Sequence, residues 1–172
     1  MKNLITKITG LFTLTAAILL FGSATAFAQK ANFTGTWKYN TEKSVASENG
    51  FRMSPSKITV VQDELKINAE KVMAGRDGED MITKDIITLD GKECENVAFQ
   101  EMKKKSIATW SADGKVLTIG SSMNFDNNGE TMTFKWSESW TLGADGNTLL
   151  FENVSRMGEN EVKEKSVYDK VK

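Results

Sequence analysis

The side chains able to do chemistry in this 172-residue chain are nearly all carboxylates and amines, because histidine is absent and cysteine occurs once. Without imidazole there is no Ser-His-Asp or Cys-His nucleophile system and no histidine-held zinc. Cys94 stands between Glu93 and Glu95, acidic neighbours that make it a poor nucleophile, and being alone it forms no disulfide within the chain. The carboxylates are more telling. Glu138 lies between Trp136 and Trp140, Thr83 and Asp85 fall between Met81 and Ile87, Asn153 follows Leu149 and Phe151, and Glu164 and Ser166 fall between Val162 and Tyr168. Each interrupts an apolar row of period two. Carboxylates about 5 to 10 Å apart could serve glycoside hydrolysis, but no hydrolase motif surrounds these, so the sequence is read as no enzyme, with no metal and no cofactor. A carboxylate on an apolar face needs a partner, a ligand, water or a bulge that turns it outward.

The element that must position Glu138 is the clearest in the chain. Over 130–142 the even positions are Met132, Phe134, Trp136, Glu138, Trp140 and Leu142 after the leading Glu130, and the odd ones are hydroxyls and Lys135. That alternation is a strand, roughly 40 Å long at about 3.3 Å per residue. Further strands are read over 32–39, 57–62, 65–69, 81–89, 93–100, 105–111, 116–121, 148–155 and 162–171, with a loop or short helical excursion over 41–56. Between them stand Asp90-Gly91, Asp113-Gly114, Asn128-Gly129 and Asp145-Gly146, signals of tight hairpin turns. Hairpin spacing without crossover helices implies consecutive antiparallel strands, and closing such a sheet removes its edges. The expected fold is therefore all-β, a single antiparallel up-and-down β-barrel of about 8 to 10 strands. A two-layer sandwich is the structural alternative, since alternation alone does not separate a closed interior from a packed face.

The first residues are set apart. Lys2 and Lys7 precede an apolar stretch over 11–21, and small residues lead to Ala26-Phe27-Ala28, the pattern of a secretory signal peptide over 1–28. The barrel domain is assigned to 29–172, exported to the periplasm or outside the cell. No other segment is suited to stable membrane insertion once the signal is removed. Without Lys2 and Lys7 the basic count falls from 22 to 20 against 23 acidic residues, a charge of −3, which argues against a nucleic-acid partner. The run Lys103-Lys104-Lys105 is read as a charged strand edge that keeps the protein soluble.

The stretch Phe33-Thr34-Gly35-Thr36-Trp37-Lys38 resembles the first strand of the calycin superfamily, which includes lipocalins, fatty-acid-binding proteins and lipocalin-like domains of exported bacterial proteins. The resemblance implies that Gly35 lets the backbone pass close to a neighbour and that Trp37 plugs one barrel end, a barrel-end motif. In lipocalins a late arginine packs over that tryptophan, and by position the candidate is Arg156. The implied function is to bind a small, partly apolar ligand inside a monomeric barrel. Phe134, Trp136, Glu138 and Trp140 are the candidate wall residues. The other reading is a protein-binding or inhibitor-type envelope barrel with a filled core that works through its loops. A carrier is expected to show a cavity of about 300 Å³ or more, and a filled barrel none.

Overall fold

A computed structural model describes residues 29–45, 52–74, 78–98, 102–157 and 160–172; the signal peptide read over 1–28 lies outside the described residues. Ten strands follow one another: β1 (Gly35–Tyr39), β2 (Lys57–Gln62), β3 (Lys66–Ala74), β4 (Asp80–Thr88), β5 (Glu93–Val97), β6 (Lys103–Trp110), β7 (Val116–Asn127), β8 (Glu130–Leu142), β9 (Thr148–Met157) and β10 (Asn160–Lys170). All pairings are antiparallel between sequence neighbours, except that β1 also pairs β10 and so closes the chain's two ends on each other. The sheet order runs β4-β3-β2-β1-β10-β9-β8-β7-β6-β5. The result is a nearly closed up-and-down barrel, with one seam between β4 and β5.

That seam is bridged by side chains in place of a ladder. The Asn96 amide takes the position a neighbouring strand would occupy: its Oδ1 accepts from the Ile86 amide at 2.7 Å and its Nδ2 donates to the Ile86 carbonyl at 3.0 Å. Deeper in, Lys104 of β6 meets Asp85 of β4 across the same gap. The amide thus satisfies the backbone groups of Ile86 that a bare sheet edge would leave open, and the ion pair spans the gap beside it.

The turns divide the barrel into two ends. The β2–β3, β4–β5, β6–β7 and β8–β9 connections lie at one end, together with the start of β1 and the finish of β10. The other end carries the long β1–β2 connection and those joining β3–β4, β5–β6, β7–β8 and β9–β10. The first end is closed by apolar bulk. Phe33, Trp37, Leu117, Trp140, Leu149, Phe151 and Tyr168 are all buried there in one cluster. Phe33 meets Trp140 edge-on with ring centroids 5.6 Å apart, and Phe151 meets Tyr168 at 5.8 Å. These contacts add to the burial of each ring.

Two strands run five or six residues further than their sequence pattern suggests. β7 continues past 121 to Asn127 because it forms a two-residue hairpin with β8 at Asn128 (φ 56°) and Gly129 (φ 87°), both left-handed as such a turn requires. β3 continues past 69 to Ala74 with Ile67, Ala69 and Lys71 all buried on its inner face. A lysine on the inner row is what hid this extension: periodicity reads a charge as solvent-facing.

Candidate functional site

Above the apolar floor the inward positions turn polar. In one cross-strand row, Ile119 of β7, Glu138 of β8, Asn153 of β9 and Glu164 of β10 stand side by side in unbroken register. Glu138 therefore sits on a regular strand, with no bulge to turn it to water, and it is 7% exposed. The next row outward holds Ser106, Ser121, Trp136 and Ser155, with the Ser106 and Ser121 hydroxyls 2.9 Å apart. The polar residues that interrupt apolar rows in the sequence do face the interior.

The partner of Glu138 comes from across the lumen. Lys71 of β3 donates to both its oxygens, at 2.6 and 2.5 Å, and also lies 3.7 Å from Asp85. Lys104 sits 2.7 and 2.8 Å from the two oxygens of Asp85. Four strands are braced by this chain of alternating charge, and all four side chains are buried. Burial alone would push the Lys71 ammonium's pKa down; Glu138 and Asp85 outweigh that and hold it above the ordinary lysine range. The indoles contribute too, since Trp140 Nε1 donates to Glu138 at 3.3 Å and the Lys104 ammonium lies 5.8 Å from the Trp136 ring centre.

Neither lysine was legible as an interior group. Lys71 falls in a polar, glycine-bearing stretch, and Lys104 in a run read as a solubility edge. That second reading needs correcting: Lys103 and Lys105 do face outward, where they pair with Glu95 and Glu93, but Lys104 points into the barrel. The usable signal was alternation itself, because the middle member of a three-lysine strand must face the opposite way from its neighbours.

Toward the open end, a half-open cavity of about 230 Å³ rests on this belt. Its walls include Met53 and Pro55 from the β1–β2 connection, Met73 of β3, and Phe134 and Trp136 of β8, whose rings stack at 5.3 Å. Lys71, Lys104, Glu138 and Asn153 form its polar base. Three of the four candidate wall residues, Phe134, Trp136 and Glu138, border the cavity. Trp140 does not: it is wholly buried in the floor, against Phe33 and Phe151. The volume falls short of about 300 Å³ because the cross-brace occupies the middle of the lumen.

The fold has a known counterpart. The zebrafish ileal bile acid-binding protein, solved with cholic acid, aligns with a TM-score of 0.50 and 15% identity, over 81% of this chain and 98% of that one. At that identity the likeness is one of fold. No protein-family model matches the chain, and no curated protein matches it.

The barrel-end residues are placed at the closed end. Trp37 is fully buried, its Nε1 donating to the Phe33 carbonyl at 2.9 Å. Arg156 is not over it. That arginine is exposed on β9 and ion-paired with Glu161. The cation on Trp37 is Lys170, whose Nζ lies 5.2 Å from the ring centre. Lys170 is the register partner of Trp37 on β10, which is why it and not Arg156 reaches the ring. Gly35 makes room for it: with φ at +147°, a Cβ built there would lie 2.6 Å from Lys170 Cε.

Proposed function

We propose that this chain is an exported, monomeric barrel that binds a small, partly apolar molecule in the cavity at its open end. The observation that carries this reading is the composition of that cavity: aromatic and methionine walls above a base of fixed polar groups, the arrangement of small-molecule sites generally. A barrel that needed only a core would continue its apolar floor upward. Instead its interior changes character midway, and buried charges are retained although apolar replacements of similar volume are commonly as stable. The bile acid held by the structural counterpart supports the same class of ligand. Phe134, Trp136 and Glu138 are assigned to contact the ligand, and Trp140 to hold Glu138 from below.

The test is tryptophan emission on titration with a small apolar probe. Quenching that saturates, and that Trp136→Ala removes, supports the assignment. If Trp136→Ala and Glu138→Ala lower stability but leave probe binding unchanged, these residues do not form the site. Export is tested separately by sequencing the mature N-terminus, expected to begin at Gln29.

A further inference from the structure

The charged groups in the polar base and directly behind it narrow the ligand class, granted that the cavity binds a ligand at all. Lys71 and Lys104 are each spoken for, by Glu138 and Asp85. Glu164, at 4% exposure, accepts from the Met53 backbone amide at 2.9 Å and from Ser166 Oγ at 3.5 Å, and no cation pairs with it among the described residues. Asn153 stands between Glu138 and Glu164 in the same row, is 8% exposed, borders the cavity, and its Oδ1 has no hydrogen-bond partner among the described residues. The buried side chains at this level thus comprise two lysines and three carboxylic acids, one carboxyl group in surplus, and the spare acceptor belongs to a residue that lines the cavity.

An arriving carboxylate would find both ammonium groups already engaged, and one strand beyond Asn153 the carboxyl group of Glu164, which no cation among the described residues offsets. Like charges brought together at a desolvated site are strongly disfavoured. A head that donates hydrogen bonds would satisfy Asn153 Oδ1, which otherwise stays buried and unpaired. We infer that the cavity selects an amphipathic ligand whose inner end is a non-anionic hydrogen-bond donor, an ammonium or a hydroxyl, with its apolar part against Phe134, Trp136 and Met73. The orientation follows from the layering, with polar groups deep and rings at the mouth. By this reading the barrel discriminates against simple fatty acids.

Three eight-carbon probes that differ only in the head test this at pH 7.5: octylamine, octan-1-ol and octanoate, followed through the Trp136 indole N–H resonance and tryptophan emission. Octylamine and octan-1-ol are each expected to bind at least about tenfold more tightly than octanoate, a ratio equivalent to about 1.4 kcal/mol. The isosteric variant Glu164→Gln is expected to weaken octylamine by a factor of about three or more while leaving octanoate no weaker. Octanoate binding as tightly as either of the others overturns the inference and leaves the binding function standing. If none of the three perturbs Trp136, the binding function itself fails. A selectivity ratio unchanged in Glu164→Gln overturns the assignment of the surplus charge to that residue.

Discussion

The closed floor and the polar belt are built from the same strands, a few residues apart, yet they are held by different physics. In the floor the polar atoms of Trp37 and Tyr168 are satisfied close at hand: Trp37 Nε1 by the Phe33 carbonyl, the Tyr168 hydroxyl by the Pro55 carbonyl at 2.8 Å. What remains is apolar area and close packing, whose contributions accumulate contact by contact. In the belt, Lys71, Asp85, Lys104 and Glu138 come from four strands, and each needs the others because a buried charge without a counter-charge is strongly unfavourable. The floor is thus graded in its response to change, and the belt is closer to all-or-none. A protein needing only stability would extend the floor; the belt makes sense as a surface prepared for something polar.

The largest effect is expected in the floor. Trp37→Ala removes a fully buried indole and orphans the contact with Lys170, and is expected to lower stability by about 3 to 5 kcal/mol in urea denaturation. Lys71→Met comes next, at about 3 kcal/mol, the low end for breaking a buried pair, because the neighbouring cavity lets water reach Glu138. The comparison then sharpens: in the double variant Lys71→Met/Glu138→Leu both charges are gone, the Asp85–Lys104 pair is intact, and most of the loss should be recovered. No second substitution should rescue Trp37→Ala in that way. A double variant as unstable as Lys71→Met alone would show that the brace contributes net stability, and the distinction between the two regions would fall.

The pH dependence carries the same contrast. Lys71 is raised by its carboxylate partners against burial, and Tyr168 is raised chiefly by burial. A group whose folded pKa exceeds its unfolded value contributes stability that is complete below the unfolded pKa and is lost as pH climbs toward the folded one. Both groups ionise near pH 10 when unfolded, so the urea midpoint should fall as pH rises from about 10. Lys71→Met and Tyr168→Phe should each make that fall shallower.

The legibility of the two regions from sequence differs for the same reason. Floor residues announce themselves: Trp140, Leu142, Leu149 and Phe151 alternate cleanly on either side of an Asp-Gly turn, and the turns and order of the strands follow. Half of the belt was visible, since Glu138, Asp85, Asn153 and Glu164 stand out within apolar rows. Its cations were not. Lys71 sits among other polar residues, and nothing local marks it as reaching into the barrel, because its partner is a carboxylate 67 positions away in the chain; for Lys104 the one local sign was alternation within its three-lysine run. Arg156 fails as the partner of Trp37 for a related reason: a cation over a ring is set by strand register, which residue type alone does not fix.

Gly35→Ala probes the edge of the floor. The displaced Lys170 Cε is the far part of a flexible side chain and can swing away, so the cost comes mainly from the backbone, which keeps φ at +147°. About 1 to 3 kcal/mol is expected, and Gly35→Ala/Lys170→Ala should recover none of it. Recovery would mean that the close approach, and not the dihedral, requires glycine.

The smallest effect should come from the seam, where no backbone ladder joins β4 and β5 among the described residues. Asn96 makes two hydrogen bonds there, both to Ile86, at the partly exposed level of β4 and β5. Each is worth about 0.5 to 1.5 kcal/mol at most, and less where water can replace the lost partner. Asn96→Ala is therefore expected to lower global stability by about 1 kcal/mol or less, since the Asp85–Lys104 pair still spans the gap. Local opening is the more sensitive readout: hydrogen exchange at the Ile86 amide should speed markedly while that of Ile119, inside the β6–β7–β8 ladder, is unchanged. If both amides accelerate together, the seam opens only with the whole barrel, and the brace of the polar belt extends its all-or-none character to the wall around it.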